Sequence, residues 1–299
     1  MGEEKIYDCI IIGGGPGGLQ AAIYLGRYNR DVLLIDRGGG RTWHAKHIEN
    51  FLTQKVISGE EIIRRGVEQA RSFNVRIERG QVTRVMKRRY FEVSDGENLY
   101  LSKFVIASSG VRDDLPPVEN LHRFLGVSFF TCLDCDGYRT TNKKLVIIGN
   151  SLETANLAFA IKAMYTEDIT LILYSDRLPE EYKEELRDEH IRLIIGRPVK
   201  IIGGETMEAV ELRNGERIAC EVVMSHFGFT LNDEFLGELG LKRDSDKFKY
   251  VVSHAYESSL SGLYIVGPLN TGDDQVVVAA GEGAVAALDI KKRLLELEG

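Results

Sequence analysis

The stretch Ile6-Tyr7-Asp8-Cys9-Ile10-Ile11-Ile12-Gly13-Gly14-Gly15-Pro16-Gly17-Gly18 decides the fold. Its first seven residues form a nearly continuous apolar run, as expected of a central parallel strand covered on both faces. Gly13, Gly15 and Gly18 then satisfy the G-x-G-x-x-G dinucleotide fingerprint, and residues 19–28 read as the helix it requires. The first glycine makes the turn, the second lets the backbone approach a pyrophosphate, and the third packs helix on strand. Val32-Leu33-Leu34-Ile35-Asp36 is the second strand. Its terminal acid, eighteen residues after Gly18, is placed for a ribose hydroxyl pair.

The pattern then continues and restarts. Residues 38–50 are a loop holding the single tryptophan, Trp43. Ser58, with Glu61 three residues on, is an N-cap signature for a helix running to about Phe73. Residues 75–79 and 82–93 alternate as strands of a smaller meander, within which 84–89 is a basic cluster. Residues 103–110 are a buried strand ending at the small-residue turn Ser109-Gly110. After the proline-bearing linker 113–117, residues 144–149, 152–164 and 169–174 spell strand, helix, strand, which is a second βαβ unit. Residues 180–190 are a charged surface helix, Asn214-Gly215 marks a hairpin, and 227–232 is a second linker. Residues 263–267 are a buried strand, and a C-terminal helix is expected to open at Gly281. The fold class is α/β, with two Rossmann-like nucleotide-binding-type domains.

Between the two units lies Cys132-Leu133-Asp134-Cys135-Asp136-Gly137-Tyr138. Two thiols at this spacing can close a small disulfide and reopen it by thiolate exchange. A structural zinc site would need two more ligands, and no second Cys pair or His-x-His cluster supplies them, so no metal is expected. The other two cysteines, Cys9 and Cys220, stand alone in apolar runs and read as inert core. A net charge of -7 argues against nucleic acid, no run is long enough to span a membrane, and no export signal opens the chain. A cytoplasmic, reducing setting is therefore expected, where disulfides are transient and catalytic.

Gly13 to Gly18, Ile48-Glu49-Asn50-Phe51, Cys132-x-x-Cys135-Asp136-Gly137 and Gln275-x6-Glu282-Gly283-Ala284 together resemble the low-molecular-weight thioredoxin reductases. The resemblance covers essentially the whole chain. It implies an FAD domain over 1–112 and 233–299, interrupted by an inserted redox domain over 113–232, in a homodimer that reduces thioredoxin. It also implies roles: Cys135 meets the flavin, Cys132 attacks thioredoxin, and Asp136 is the nearby acid. Gly13, Gly15, Pro16, Gly17, Gly18, Asp36, Arg37, Asn50, Val82, Ser109, Gly110, Gly267, Gln275 and Val276 are the implied FAD contacts, with Gly281 beginning the helix that points at the ring. Independently of family, an acid beside a dithiol can relay the proton that a leaving thiolate needs; equally, Asp before Gly is a common turn residue.

Two departures stand out. The second nucleotide site should carry G-x-G-x-x-A and later a His-Arg-Arg cluster, and here it reads Gly149-Asn150-Ser151-Leu152-Glu153-Thr154, then Asp176-Arg177. Ser151 and Glu153 oppose a pyrophosphate, Thr154 is bulkier than the Gly or Ala expected where helix packs on strand, and Asp176 opposes a 2′-phosphate. Gly267-Pro268 replaces the usual Gly-Asp that holds the ribityl chain. The expected activity is thus a flavin-dependent thioredoxin reductase fed by reduced ferredoxin, similar to the ferredoxin-dependent flavin thioredoxin reductases. The alternatives are an FAD-dependent dithiol oxidase using oxygen, and an NADH-dependent reductase served by Asp176, twenty-two residues after Thr154. Basic runs at Arg84, Lys87, Arg88 and Arg89, or at Lys291-Lys292-Arg293, are the candidate donor-docking patches.

Overall fold

The computed structural model describes residues 5–245 and 248–299. They form two compact units, one of residues 1–112 with 230–299 and one of 113–229. The first begins with β1 (Ile6–Ile12), α1 (Pro16–Arg27), β2 (Val32–Asp36), α2 (Gly59–Ser72), β3 (Arg76–Arg79), β4 (Arg84–Lys87), β5 (Phe91–Ser94) and β6 (Leu99–Ala107). The chain crosses at β7 (Val111–Asp113) into α3 (Leu121–Phe124), β8 (Phe129–Phe130), α4 (Leu133–Asp136), β9 (Leu145–Gly149), α5 (Leu152–Met164), β10 (Ile169–Leu173) and α6 (Glu180–Asp188). There follow β11 (Arg192–Ile195), β12 (Pro198–Gly203), β13 (Met207–Leu212), β14 (Arg217–Ala219) and β15 (Val222–His226). The return crossing at β16 (Phe229–Leu231) leads to β17 (Leu263–Ile265) and α7 (Val276–Glu298).

In the first unit β3, β2, β1, β6 and β17 are parallel neighbours, and β5 and β4 extend the sheet antiparallel from β6. Alternate residues of β1 feed two separate cores: Cys9 and Ile11 pack with α1 and α7 on one face, Ile10 and Ile12 with Phe91, Tyr250 and Leu269 on the other. Being covered on both faces is why the strand reads as an unbroken apolar run. The second unit repeats the plan with a parallel sheet β11-β10-β9-β15-β8 and adds the antiparallel set β12-β13-β14. Its cores lie on either side of β9, around Val146 and Ile148, and around Leu145 and Ile147.

Two expectations are corrected. Residues 75–79 do not belong to a meander, because β3 is parallel to β2 and completes the main sheet. The C-terminal helix starts at Val276, with Gln275 as its extended N-cap, so Gly281 lies inside it. Three successive valines have low helix propensity, and burial of Ala279, Glu282 and Gly283 against the first unit overrides it. The close approach is visible at Gly283, where an added Cβ would stand 2.0 Å from the Gly17 carbonyl oxygen. The helices α1 and α7 therefore meet backbone to backbone.

Candidate active site: an open cradle, a dithiol and an altered cradle

The fingerprint turn of the first unit is built around backbone that tolerates no side chain. Gly13 has φ +106°, and a Cβ there would meet the Ser108 carbonyl oxygen at 2.5 Å. A Cβ on Gly18 would stand 2.1 Å from the Gly13 carbonyl oxygen, which is the close helix–strand packing the third glycine permits. Ser108, which sequence reasoning passed over, locks the turn by donating its hydroxyl to Ile12 and Gly13 carbonyls at 3.0 and 2.8 Å. Gly15 differs from both: its Cβ position is open, with the nearest atom at 3.9 Å. Helix α1 begins there with Pro16 and carries no acid in its first turn. Free N–H groups, the positive helix end and open space fit a pyrophosphate.

Asp36 accepts from the Gly14 and Gly38 backbone N–H groups at 2.9 and 3.0 Å, which fixes its carboxylate at the rim of this cradle. Arg37 donates to the Asn232 side chain at 2.8 Å, and Asn232 is in turn held by the Ser109 hydroxyl and the Gly110 carbonyl. Val82 is buried and Gly110 has φ +67°. Asn50 donates to the Gln275 side chain at 3.0 Å, tying the loop after α1's neighbour β2 to the start of α7 beside Val276. Gly267, at φ +74°, donates its N–H to Glu282, which also accepts from Asn270 at 2.8 Å. Burial raises the Glu282 carboxyl above its ordinary range. Asn270 was not singled out from sequence, and Glu282 entered only as part of the motif Gln275-x6-Glu282-Gly283-Ala284, without a role. The open space at Gly15 and the Asp36 carboxylate held by Gly14 and Gly38 fit the pyrophosphate and ribose of FAD.

In the second unit Cys132 and Cys135 form a disulfide, with Cα atoms 5.3 Å apart. Cys132 is the N-cap of the one-turn helix α4, its sulfur accepting from the Cys135 N–H at 3.1 Å. Asp136, the last residue of that turn, pairs with Arg139 at 3.1 Å, and the Arg139 guanidinium also lies over the Tyr138 and Phe130 rings. Among the described residues no group of His, Cys, Asp or Glu is arranged to hold a metal. Cys9 and Cys220 are buried apart from the pair; burial raises both thiols, that of Cys220 to about 12.

The turn after β9 is the counterpart of the fingerprint, with Gly149, Ser151 and Thr154 where the first unit has Gly13, Gly15 and Gly18. Thr154 is fully buried, and its Oγ1 and Cγ2 would stand 2.1 and 2.5 Å from a Cβ on Gly149. Ser151 is the N-cap, and its hydroxyl holds the Glu153 carboxyl below the usual carboxylate range, so the first turn of α5 bears a negative charge. At the end of β10, Asp176 pairs with Lys183 at 2.6 Å. Tyr174 stacks edge-on against Phe227 with centroids 5.1 Å apart, and Arg197 lies over the Tyr174 ring.

A family model described as pyridine nucleotide-disulphide oxidoreductase matches residues 7–283. A thioredoxin reductase of Mycoplasmopsis pulmonis is 26% identical over 309 residues, covering 98% of this chain and 99% of that protein. One of Bacillus subtilis is 26% identical over 312 residues, covering 100% and 98%. Among solved structures, HlmI matches with TM-score 0.91 at 24% identity over 97% of this chain and 93% of that one. The thioredoxin reductase from Streptococcus pyogenes MGAS5005 gives 0.90 at 24% over 97% and 99%. These two structures carry the fold, two Rossmann-like domains, to this chain. Among the described residues no helix is long and apolar enough to cross a membrane.

Proposed function

The chain belongs to the pyridine nucleotide-disulphide oxidoreductase family, as a thioredoxin reductase-like disulfide oxidoreductase, and from that premise we propose that it reduces a thioredoxin with electrons from a ferredoxin rather than from a nicotinamide coenzyme. The observation that carries this reading is the contrast between the two cradles. Gly15 leaves room at the start of α1, whereas its counterpart in the second unit is Ser151, which carries a side chain, and Glu153 adds an ionised carboxylate to the first turn of α5. A carboxylate in the first turn of a helix opposes the binding of a pyrophosphate at that same helix end. Asp176, engaged by Lys183, is also poorly disposed toward an NADH ribose diol.

The first cradle would hold FAD, which when bound would supply the means of collecting single electrons and passing them on in pairs. Gly13, Gly15 and the α1 N–H groups receive its pyrophosphate, and Asp36 faces the ribose side. Asn50 and Gln275, joined to each other, border the ring at the start of α7. The Cys132–Cys135 disulfide takes up two electrons and two protons and becomes two thiols. As a thiolate, Cys132 attacks the disulfide of thioredoxin, and one thioredoxin sulfur leaves as a thiol after protonation. Cys135 then attacks Cys132 in the mixed disulfide, re-forming the pair and releasing the second thiol. Asp136, oriented by Arg139, supplies a carboxylate through which protons reach the leaving sulfurs. The donor must deliver electrons at or below about -270 mV to reduce a thioredoxin, which iron–sulfur proteins can do.

The working species is a homodimer, and an exposed apolar stripe on α7 supports this. Val277, Val285, Leu288 and Leu295 line the face opposite its buried residues and stand 38% to 53% exposed. Anaerobic mixing with reduced ferredoxin and oxidised thioredoxin tests the reaction: thioredoxin thiols are expected, and their absence with any ferredoxin would count against it.

A further inference from the structure

Residues 41–57 form a closed loop in the first unit. Ile48 and Ile57 exchange backbone hydrogen bonds at 2.8 and 3.0 Å across its neck, and both are buried. Beyond the neck the pattern inverts: Leu52 is 84% exposed and Val56 50%, and Trp43 before it is 39% exposed. Lys46 and Lys55 are exposed too, and neither meets a carboxylate among the described residues. Across the loop, Arg41, Lys46 and Lys55 stand against one acid, Glu49, on a chain whose net charge is -7. Two tethers fix it beside the first turn of α7, Asn50 to Gln275 at 3.0 Å and Arg41 to Asp274 at 3.5 Å.

We propose that this loop is the landing surface for the electron donor, an acidic single-electron iron–sulfur protein; the inference rests on the functional reading above. Exposed apolar side chains on the same loop as the exposed cations Lys46 and Lys55 suit a short-lived protein contact, in which charge steers the encounter and the apolar centre excludes water. The loop's tethers bring that contact to the start of α7, where the ring of the cofactor is expected. The basic runs suggested by sequence are less suited. Arg84, Arg88 and Arg293 are already paired with Glu238, Glu92 and Glu257. Arg293 also lies about 25 Å along α7 from Val276 at ~1.5 Å per residue, and electron transfer falls steeply with distance. Two donor molecules, each oxidised by one electron, supply the two electrons that with two protons from water open the Cys132–Cys135 disulfide.

Rapid anaerobic mixing of the FAD-loaded protein with reduced two-iron ferredoxin, following flavin bleaching, tests this. The double variant Lys46→Glu, Lys55→Glu is expected to lose at least tenfold in second-order rate at low salt and to lose most of its salt dependence. Photochemical reduction of its flavin should be unchanged, and Lys87→Glu, Arg89→Glu should behave as wild type. Leu52→Ser, Val56→Ser provides a second probe, with a fall in rate that salt does not restore. Equal rates in wild type and both loop variants would overturn the inference while leaving the functional reading intact. So would a loop variant that bleaches normally but no longer reduces thioredoxin, which would assign the surface to the acceptor. Failure of ferredoxin to bleach wild type would sink the functional reading and the inference with it.

Discussion

The chemistry turns on a few residues whose surroundings distinguish their roles. Cys132 and Cys135 are the cysteines joined in a disulfide, whereas Cys9 and Cys220 have thiols raised by burial and are inert at neutral pH. Cys135→Ser should therefore cut thioredoxin reduction by at least ~10³-fold while leaving the bound flavin spectrum in place; retained turnover would show that the pair is not the conduit. Glu282 allows a second test. Its folded pKa is raised by burial, so it costs nothing at low pH, where both folded and unfolded states are protonated. The cost then grows as pH rises from the unfolded value through the folded one. The stability of Glu282→Gln relative to wild type should rise with pH across that window and then level off, as read from melting temperatures from acid to neutral pH. A difference independent of pH would contradict this origin.

At the scale of elements, α7 joins two functions on opposite faces. Its inner face meets α1 through Gly283 and Gly17, with no room for a methyl group. Gly283→Ala should force the helices apart and cost about 1–3 kcal/mol, the usual range for overpacking, with loss of flavin affinity because α1 carries the cradle. Chemical denaturation with flavin retention measured in parallel would check both. The outer face carries the apolar stripe, and Leu288→Asp should shift the protein from dimer to monomer in sedimentation without altering its flavin spectrum. These elements differed in how well sequence exposed them. The strands β1, β2, β9 and β10 and the helix α5 were legible because two-sided burial and glycine turns leave strong local marks. The first turns of α7 were not, because Val276–Val278 favour strand and only packing makes them helical. Likewise Ser108, Asn232, Asn270 and Glu282 act through partners distant in sequence, which no local pattern encodes.

The molecule contains two units, each with parallel strands of which one, β1 or β9, leads through a turn into a helix, and the two turns differ. In the first unit the fingerprint glycines keep the space beside α1 open. In the second, substitutions readable in sequence put the Ser151 side chain and the Glu153 charge at the start of α5. What sequence could not convey is that the Ser151 hydroxyl holds the Glu153 carboxyl, and that Asp176 is taken up by Lys183. The most direct measurement is an anaerobic titration of the flavin-loaded protein, recording absorbance in the flavin band. Stoichiometric NADPH or NADH should leave the band unchanged, and reduced ferredoxin should abolish it; rapid bleaching by either nicotinamide would contradict the account.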